Sequence, residues 1–230
     1  MPKSAATALG RIAHSRRIPA GQVIEGPHQT MGSFAVIISG VVKLVRTQHD
    51  GRQQIVGLRF PADFLGRPYP TRNPLIAQAT TNLELCCFSK DAFETLMLKH
   101  PRLGQSLLRR TLDDLDVSRE WMFLLGRKTA REKVASLLFS IGVRLAQPGC
   151  DADCDQTSLE FDLPLSRHEI ADALGLTIET VSREIRYFES QGMIGIKGRR
   201  SIVVPNLGTL RGLAKGEQQQ PTELPPLTEF

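Results

Sequence analysis

The sequence predicts an α+β chain: an antiparallel β-roll, then a helical half that ends in a small β-hairpin. Three observations carry that reading. Between about Ile18 and Phe88, short β-branched runs alternate with turn residues. From Pro101 onward the apolar positions fall at helical spacing. After residue 158, two short capped helices meet at a glycine and precede a pair of strand-like runs. At 230 residues the chain has room for two small domains, each with its own core.

The runs of the first part are Val23-Ile24, Ala35–Ile38, Val41–Val45, Gln54–Leu58 and Leu83–Phe88. Gly21, Gly26, Gly32, Gly40 and the pair Asp50-Gly51 separate them. β-branched side chains suit a pleated surface, and Asp-Gly between two runs suits a tight hairpin. Residues 1–98 are therefore expected to form antiparallel hairpins closed into a roll or barrel.

Pro101 fits the opening of a helix, where its missing N–H is no loss. Leu108, Leu112, Leu115 and Met122 follow at spacings of four, three and seven, with Arg119 in the vacant place. That is an a/d-like stripe of about two heptads. Asp113, Asp114, Asp116 and Glu120 flank it and leave it narrower than the face of a helix buried against a domain. Residues 99–127 are thus expected to pair with their copy in a second chain, the five stripe residues forming the interface of a homodimer.

A helix over about Ala130 to Ala146 comes next, then the polar loop GCDADCDQTS, then a strand-like Leu159–Leu163. Ser166 and Glu169 have capping-box spacing: the hydroxyl accepts from the amide at Glu169 while the carboxylate reaches back. The helix they open carries Ile170, Ala171 and Leu174 and stops at Gly175. Thr177 caps a second helix, whose apolar positions are Ile178, Val181, Ile185 and Phe188 and which stops at Gly192. Two short helices with a glycine turn between them form a helix-turn-helix. Met193–Ile196 and Ser201–Val204, joined through Lys197-Gly-Arg-Arg200, form a wing, so 128–214 is expected to be a winged helix-turn-helix domain. Residues 215–230, rich in Pro and Gln, read as a disordered tail.

With those apolar positions turned inward, Glu179, Thr180, Ser182, Arg183 and Arg186 face outward near the start of the second helix. A helix-turn-helix presents such side chains to base edges in the major groove. Arg183 can give guanine O6 and N7 two hydrogen bonds, and Glu179 can accept from cytosine N4 and brace Arg183. Thr177, Thr180 and Arg186 are expected on phosphates, with Ser166 and the wing residues Arg199 and Arg200 completing the set. A solvated polar face is what any surface helix shows. Two caps, a central glycine and a basic wing together favour double-stranded DNA. The net charge of +5 permits a polyanionic partner without demanding one, because the excess is spread rather than gathered into one run.

The order β-roll, long helix, helix-turn-helix and wing, over essentially residues 18–214, resembles the CRP/FNR superfamily of bacterial transcription regulators. LPLSRHEIADALGLTIETVSREIRYFESQGMI is similar to its FNR and FixK branches. LLGRKTAREKVASLL (124–138) and DFLGRP (63–68) are similar to the FnrL-like group within them. The branch pattern E-x-x-S-R falls on Glu179, Ser182 and Arg183. The catabolite-activator branch has Arg before the Glu, where Ile178 stands, and Gly in place of Ser182. The resemblance implies a cyclic-nucleotide-binding-like roll and a homodimer on inverted TTGAT-type half-sites. It also implies an encounter with RNA polymerase and control of low-oxygen respiration or related energy metabolism.

Members of the superfamily switch on cyclic AMP, on an iron–sulfur cluster, on haem, or on nothing. The nucleotide-binding branch uses a Gly-Glu pair and an Arg-Ser/Ala-Ala run. FLGRPYPTRNPLIAQATT lacks that Glu, has Pro74-Leu75-Ile76 where the Arg belongs, and leaves Arg67 and Arg72 as loop residues. The cluster-bearing branch uses three cysteines ahead of the roll and one within it. Cys86 or Cys87 matches the last, and no cysteine of this sequence precedes them. Neighbours on a strand point to opposite faces, so both read as strand residues, and Cys150 and Cys154 read as loop thiols. The histidines (14, 28, 49, 100, 168) are scattered, and His168 reads as surface. The expectation is no cofactor and no metal. A haem-dependent nitric-oxide responder of the Dnr type is the second reading, since one axial ligand leaves almost no sequence trace. Two readings of other classes compete: a ligand-binding roll serving signalling machinery, which the E-x-x-S-R face disfavours, and an enzyme, for which no nucleophile–base set or phosphate loop is found. No apolar run approaches eighteen residues and no secretory signal opens the sequence, so a cytoplasmic protein without a membrane span is expected.

Overall fold

Alternating burial, rather than length, makes the first part a roll. The computed structural model describes residues 10, 12–26, 33–66, 74–146 and 158–216. Its first eight strands are β1 (Ala13–Ile18), β2 (Val23–Glu25), β3 (Ser33–Ser39), β4 (Val42–Thr47), β5 (Gln53–Arg59), β6 (Phe64–Leu65), β7 (Ile76–Ala79) and β8 (Leu83–Ser89). They form two four-stranded sheets, ordered β1-β8-β3-β6 and β2-β7-β4-β5. Every pairing is antiparallel. Leu83, Leu85 and Cys87 of β8 point into one cluster with Ile18, Ala35, Ile37, Val42 and Ala79 from both sheets. Glu84 and Cys86 take the other face, as period-two geometry requires. The β4–β5 hairpin turns through Gly51 at φ 85°. At Gly40 the chain passes so near β8 that a Cβ would meet the carbonyl of Asn82 at 2.3 Å.

Three strands of the roll escape the sequence pattern. Strand β1 is AHSRRI with its middle exposed, β6 has two residues, and β7 is built on small alanines. Helix α1 (Lys90–Lys99) is also unannounced. Ser89 caps it by accepting from the amide of Ala92, and Phe93 and Leu96 bury against Phe34 and Phe88.

Helix α2 (Pro101–Arg127) is long and nearly unburied: of its 27 residues only Leu103 and Leu124 are inside. Leu108 is 61 % exposed and Met122 66 %, with Leu112, Leu115, Val117 and Phe123 also open to solvent. Helix α3 (Ala130–Ala146) is the opposite case, with Val134, Leu137, Leu138 and Ile141 in the core.

After it come β9 (Leu159–Asp162), α4 (Arg167–Leu174), α5 (Ile178–Ser190), β10 (Gly195–Lys197), β11 (Ser201–Val204) and α6 (Leu207–Lys215). The small sheet runs β10-β11-β9, so the wing leans on β9, the first strand after α3. Helix α6 was not expected. Asn206 caps it, and Leu207, Leu210 and Ala214 bury along the side it packs on α3. Lys215 is its last residue and Gly216 its left-handed cap, so the first two residues read as tail belong to the folded part. Residues 217–230, the loop cysteines Cys150 and Cys154, and Arg67 and Arg72 lie outside the described residues.

The two halves share one core. Val45, Ile55, Leu58 and Phe60 of the roll sit in the same apolar cluster as Leu137, Ile141, Ile170 and Leu174. Polar ties cross the same seam. Asp63 is buried, and Arg144 of α3 donates to its two oxygens at 2.6 and 2.7 Å. Arg110 of α2 binds the same carboxylate, as does the Phe60 amide at 2.8 Å. Arg59 meets Asp114 at 3.2 Å, and Lys43 of β4 meets Glu169 of α4 at 2.6 Å.

Candidate nucleic-acid interface

The site is built by caps. The Ser166 hydroxyl accepts from the Glu169 amide at 3.2 Å, and Glu169 Oε2 accepts from the Ser166 amide at 2.8 Å. Helix α4 therefore starts at one fixed residue. It ends at Gly175 with φ 62° and ψ 41°, a conformation that disfavours residues with a Cβ. Thr177 then accepts from the Thr180 amide at 3.2 Å and opens α5. The turn between the helices is thus set by three local devices, all of them legible in the sequence.

Val181, Ile185 and Phe188 are buried and fix which side of α5 faces the domain. Ile178 departs from the expectation: it is 41 % exposed rather than turned inward. At about 100° per residue it stands roughly 60° from Val181, and it occupies the first turn, where the domain no longer covers the helix. Glu184 departs in the other direction. It lies on the inner side at 6 % exposure, an acid that the sequence reading passed over.

On the outer side Thr177, Glu179, Arg183 and Arg186 are exposed, and Thr180 and Ser182 are half-buried. Ser166 is exposed at the start of α4. Glu179 is turned toward its own helix start: its backbone amide and the Thr177 hydroxyl hold its carboxyl below the ordinary range. It is not the brace of Arg183. Among the described residues the carboxylate that meets Arg183 is that of Glu184, whose Oε1 accepts from Arg183 Nε at 3.4 Å. The other oxygen accepts from Arg131 Nε of α3 at 2.9 Å, and the Arg131 guanidinium lies 3.6 Å from the centre of the Tyr187 ring.

The wing turn places Arg199 and Arg200 in solvent, past Gly198 at φ 63°. Lys197 is drawn back onto β9 by Glu160 at 2.8 Å, a hydrogen bond that lowers the Glu160 carboxyl. An exposed helix start, flanked by the exposed guanidinium groups of Arg186, Arg199 and Arg200, suits a phosphate-bearing partner. His168 is exposed beside Asp172. Cys87 is buried, and burial pushes the thiol of half-buried Cys86 up, away from the thiolate form. Among the described residues no three His, Cys, Asp or Glu side chains gather as a metal site would need. No helix there is long and apolar enough to cross a membrane.

Fold and site together define a class: a winged helix-turn-helix carried by a roll of the cyclic-nucleotide-binding type through one long helix. Comparison with known proteins agrees at both ends. The cyclic nucleotide-binding domain family matches residues 15–100, and the Crp-like helix-turn-helix domain family matches residues 132–213. The transcriptional activator protein FnrL of Cereibacter sphaeroides is 45 % identical over 88 % of this chain and 81 % of its own length. The nitrogen fixation regulation protein FixK of Bradyrhizobium diazoefficiens is 36 % identical over 82 % of this chain and 76 % of its own. The structure of FixK2 from Bradyrhizobium japonicum superposes with a TM-score of 0.77 at 30 % identity, covering 88 % of this chain and 97 % of that one. The chain belongs to the CRP/FNR family of transcription regulators, in its FNR/FixK branch.

Proposed function

We propose that the chain is a cytoplasmic, homodimeric activator that binds inverted TTGAT-type half-sites and contacts RNA polymerase. Residues 128–214 serve as the DNA-binding domain, 99–127 as the dimerisation helix and 1–98 as a sensor-like roll. The observation that carries the reading is the outer face of α5. It presents Glu179, Ser182 and Arg183 of the E-x-x-S-R pattern on a helix whose start is fixed by Thr177. Arg183 takes a guanine, Glu179 a cytosine, and Thr177, Thr180, Arg186, Ser166, Arg199 and Arg200 take phosphates. Dimerisation follows from Leu108, Leu112, Leu115, Arg119 and Met122, a solvent-facing stripe of the kind a parallel helix pair covers. Two relatives carry names that support regulation of gene expression: a transcriptional activator and a nitrogen fixation regulator. By resemblance the targets are genes of low-oxygen respiration or related energy metabolism.

The test is a binding series on an inverted TTGAT repeat, on single-base variants of it, and on a single half-site. The dimer should prefer the full repeat with half-sites about one helical turn apart. Equal affinity for the repeat and for an unrelated duplex would overturn the proposal.

A further inference from the structure

We infer that Glu184 is a positioning residue for base reading, holding Arg183 from behind while Arg131 holds Glu184. This role presupposes that Arg183 reads a base. Glu184 belongs to α5 yet is buried, and a buried carboxylate is costly unless its oxygens are engaged. Both are. Oε2 takes the N–H of Arg131 Nε at 2.9 Å, and Oε1 takes that of Arg183 Nε at 3.4 Å. Arg131 is itself held, since its guanidinium lies over the Tyr187 ring at 3.6 Å. One carboxylate thus joins a guanidinium of the scaffold to a guanidinium of the outer face.

The donor count makes the arrangement useful. Arginine has five N–H groups, one on Nε and four on the two Nη atoms. Engaging Nε leaves the Nη pair free, and an end-on approach to guanine O6 and N7 needs only that pair. The Arg183 side chain is 70 % exposed, so untethered it would lose rotamer freedom on meeting DNA. A tether formed beforehand removes part of that loss. Two of the three acids of α5 then divide the work. Glu179 stays on the outer face, where a base can meet it, and Glu184 touches no base.

The full-length protein tests this, with binding titrations on an inverted TTGAT repeat and on a copy with the half-site guanine replaced. Glu184→Ala and the milder Glu184→Gln should each reduce the ratio of the two affinities, the former by about fivefold. Adding either change to Arg183→Ala should cause no further loss of that ratio, because the carboxylate acts through the arginine. The salt dependence should stay that of the unchanged protein, since no phosphate contact is removed. Should Glu184→Ala fail to unfold cooperatively, Glu184→Gln carries the same comparison. A ratio unchanged in the Glu184 variants but abolished in Arg183→Ala would overturn the positioning role and leave the reader intact. Equal weakening on both duplexes would also overturn it, leaving Glu184 a packing residue. A ratio unchanged in Arg183→Ala would instead remove Arg183 as the reader.

Discussion

Arg183 and Arg199 are both exposed cations of the same domain, yet they should fail in different ways when replaced. Arg183→Ala should cost roughly 1–3 kcal/mol per half-site and erase preference at one base pair. Arg199→Ala should weaken all sequences alike and lower the slope of log affinity against log salt by about 1. Titrations on the matched and single-base duplexes at several salt concentrations separate the two. The outward position of Arg183 was legible because E-x-x-S-R stands on a helix whose inner face can be counted from its apolar residues. Glu184 was not. Beside an arginine on an amphipathic helix it reads as a solvated acid, and its partner Arg131 lies 53 residues away. Ile178 failed for the same reason in reverse: periodicity marks a face, but not where the domain stops covering it.

Helices α4 and α5 were legible from their caps, which are local, and each cap carries its own expected loss. Thr177→Ala should lower stability by about 1 kcal/mol, read as a shift in the urea midpoint, while Thr177→Ser or Thr177→Asn should restore it. An unshifted midpoint for Thr177→Ala would show that packing alone holds the start of α5. Glu169 adds a pH signature. Burial pushes its carboxyl up, but the hydrogen bonds from Lys43 and Ser166 outweigh that and leave it below the ordinary 4.5. A carboxyl depressed on folding contributes stability that is present above the unfolded value and lost as pH falls through the folded one. Glu169→Gln should therefore lower stability at neutral pH and flatten the acid limb below about pH 4.5, as urea unfolding at stepped pH would record. Elements built by distant contacts were harder to read, although Ser89 and Asn206 cap α1 and α6 locally. Strand β1 is polar in sequence and exists because β8 pairs with it, and α1 and α6 are short helices whose apolar residues find partners only in three dimensions.

In the whole molecule, the long helix α2 joins the halves and turns its apolar stripe to solvent, the surface on which we propose that a second copy packs. A charge at its centre should undo that pairing. Leu115→Glu should lower the sedimentation mass toward one chain at concentrations where the unchanged protein is a dimer, and should weaken binding to the full repeat more than to a half-site. A tight dimer from Leu115→Glu would take the stripe out of the interface. The order of parts, roll then long helix then winged domain, was legible because hydrophobic period changes from two to three and a half along the chain. How the parts meet was not. The Asp63, Arg110 and Arg144 cluster joins residues 47 and 81 positions apart, and charged residues in sequence give no hint of which will be buried together.

That cluster bears on whether the roll is a module. An isolated fragment ending near residue 98 would carry Val45, Ile55, Leu58 and Phe60 into water, together with an Asp63 carboxylate stripped of both guanidinium partners. Such a fragment is an aggregation hazard rather than a free-standing receiver. Chimaeras that exchange the roll among relatives are therefore limited by the graft, not by the site on α5. A donor roll must arrive with an acid at the place of Asp63 and an apolar back on β4 and β5. Failing that, the recipient must give up Arg110 and Arg144 in the same step.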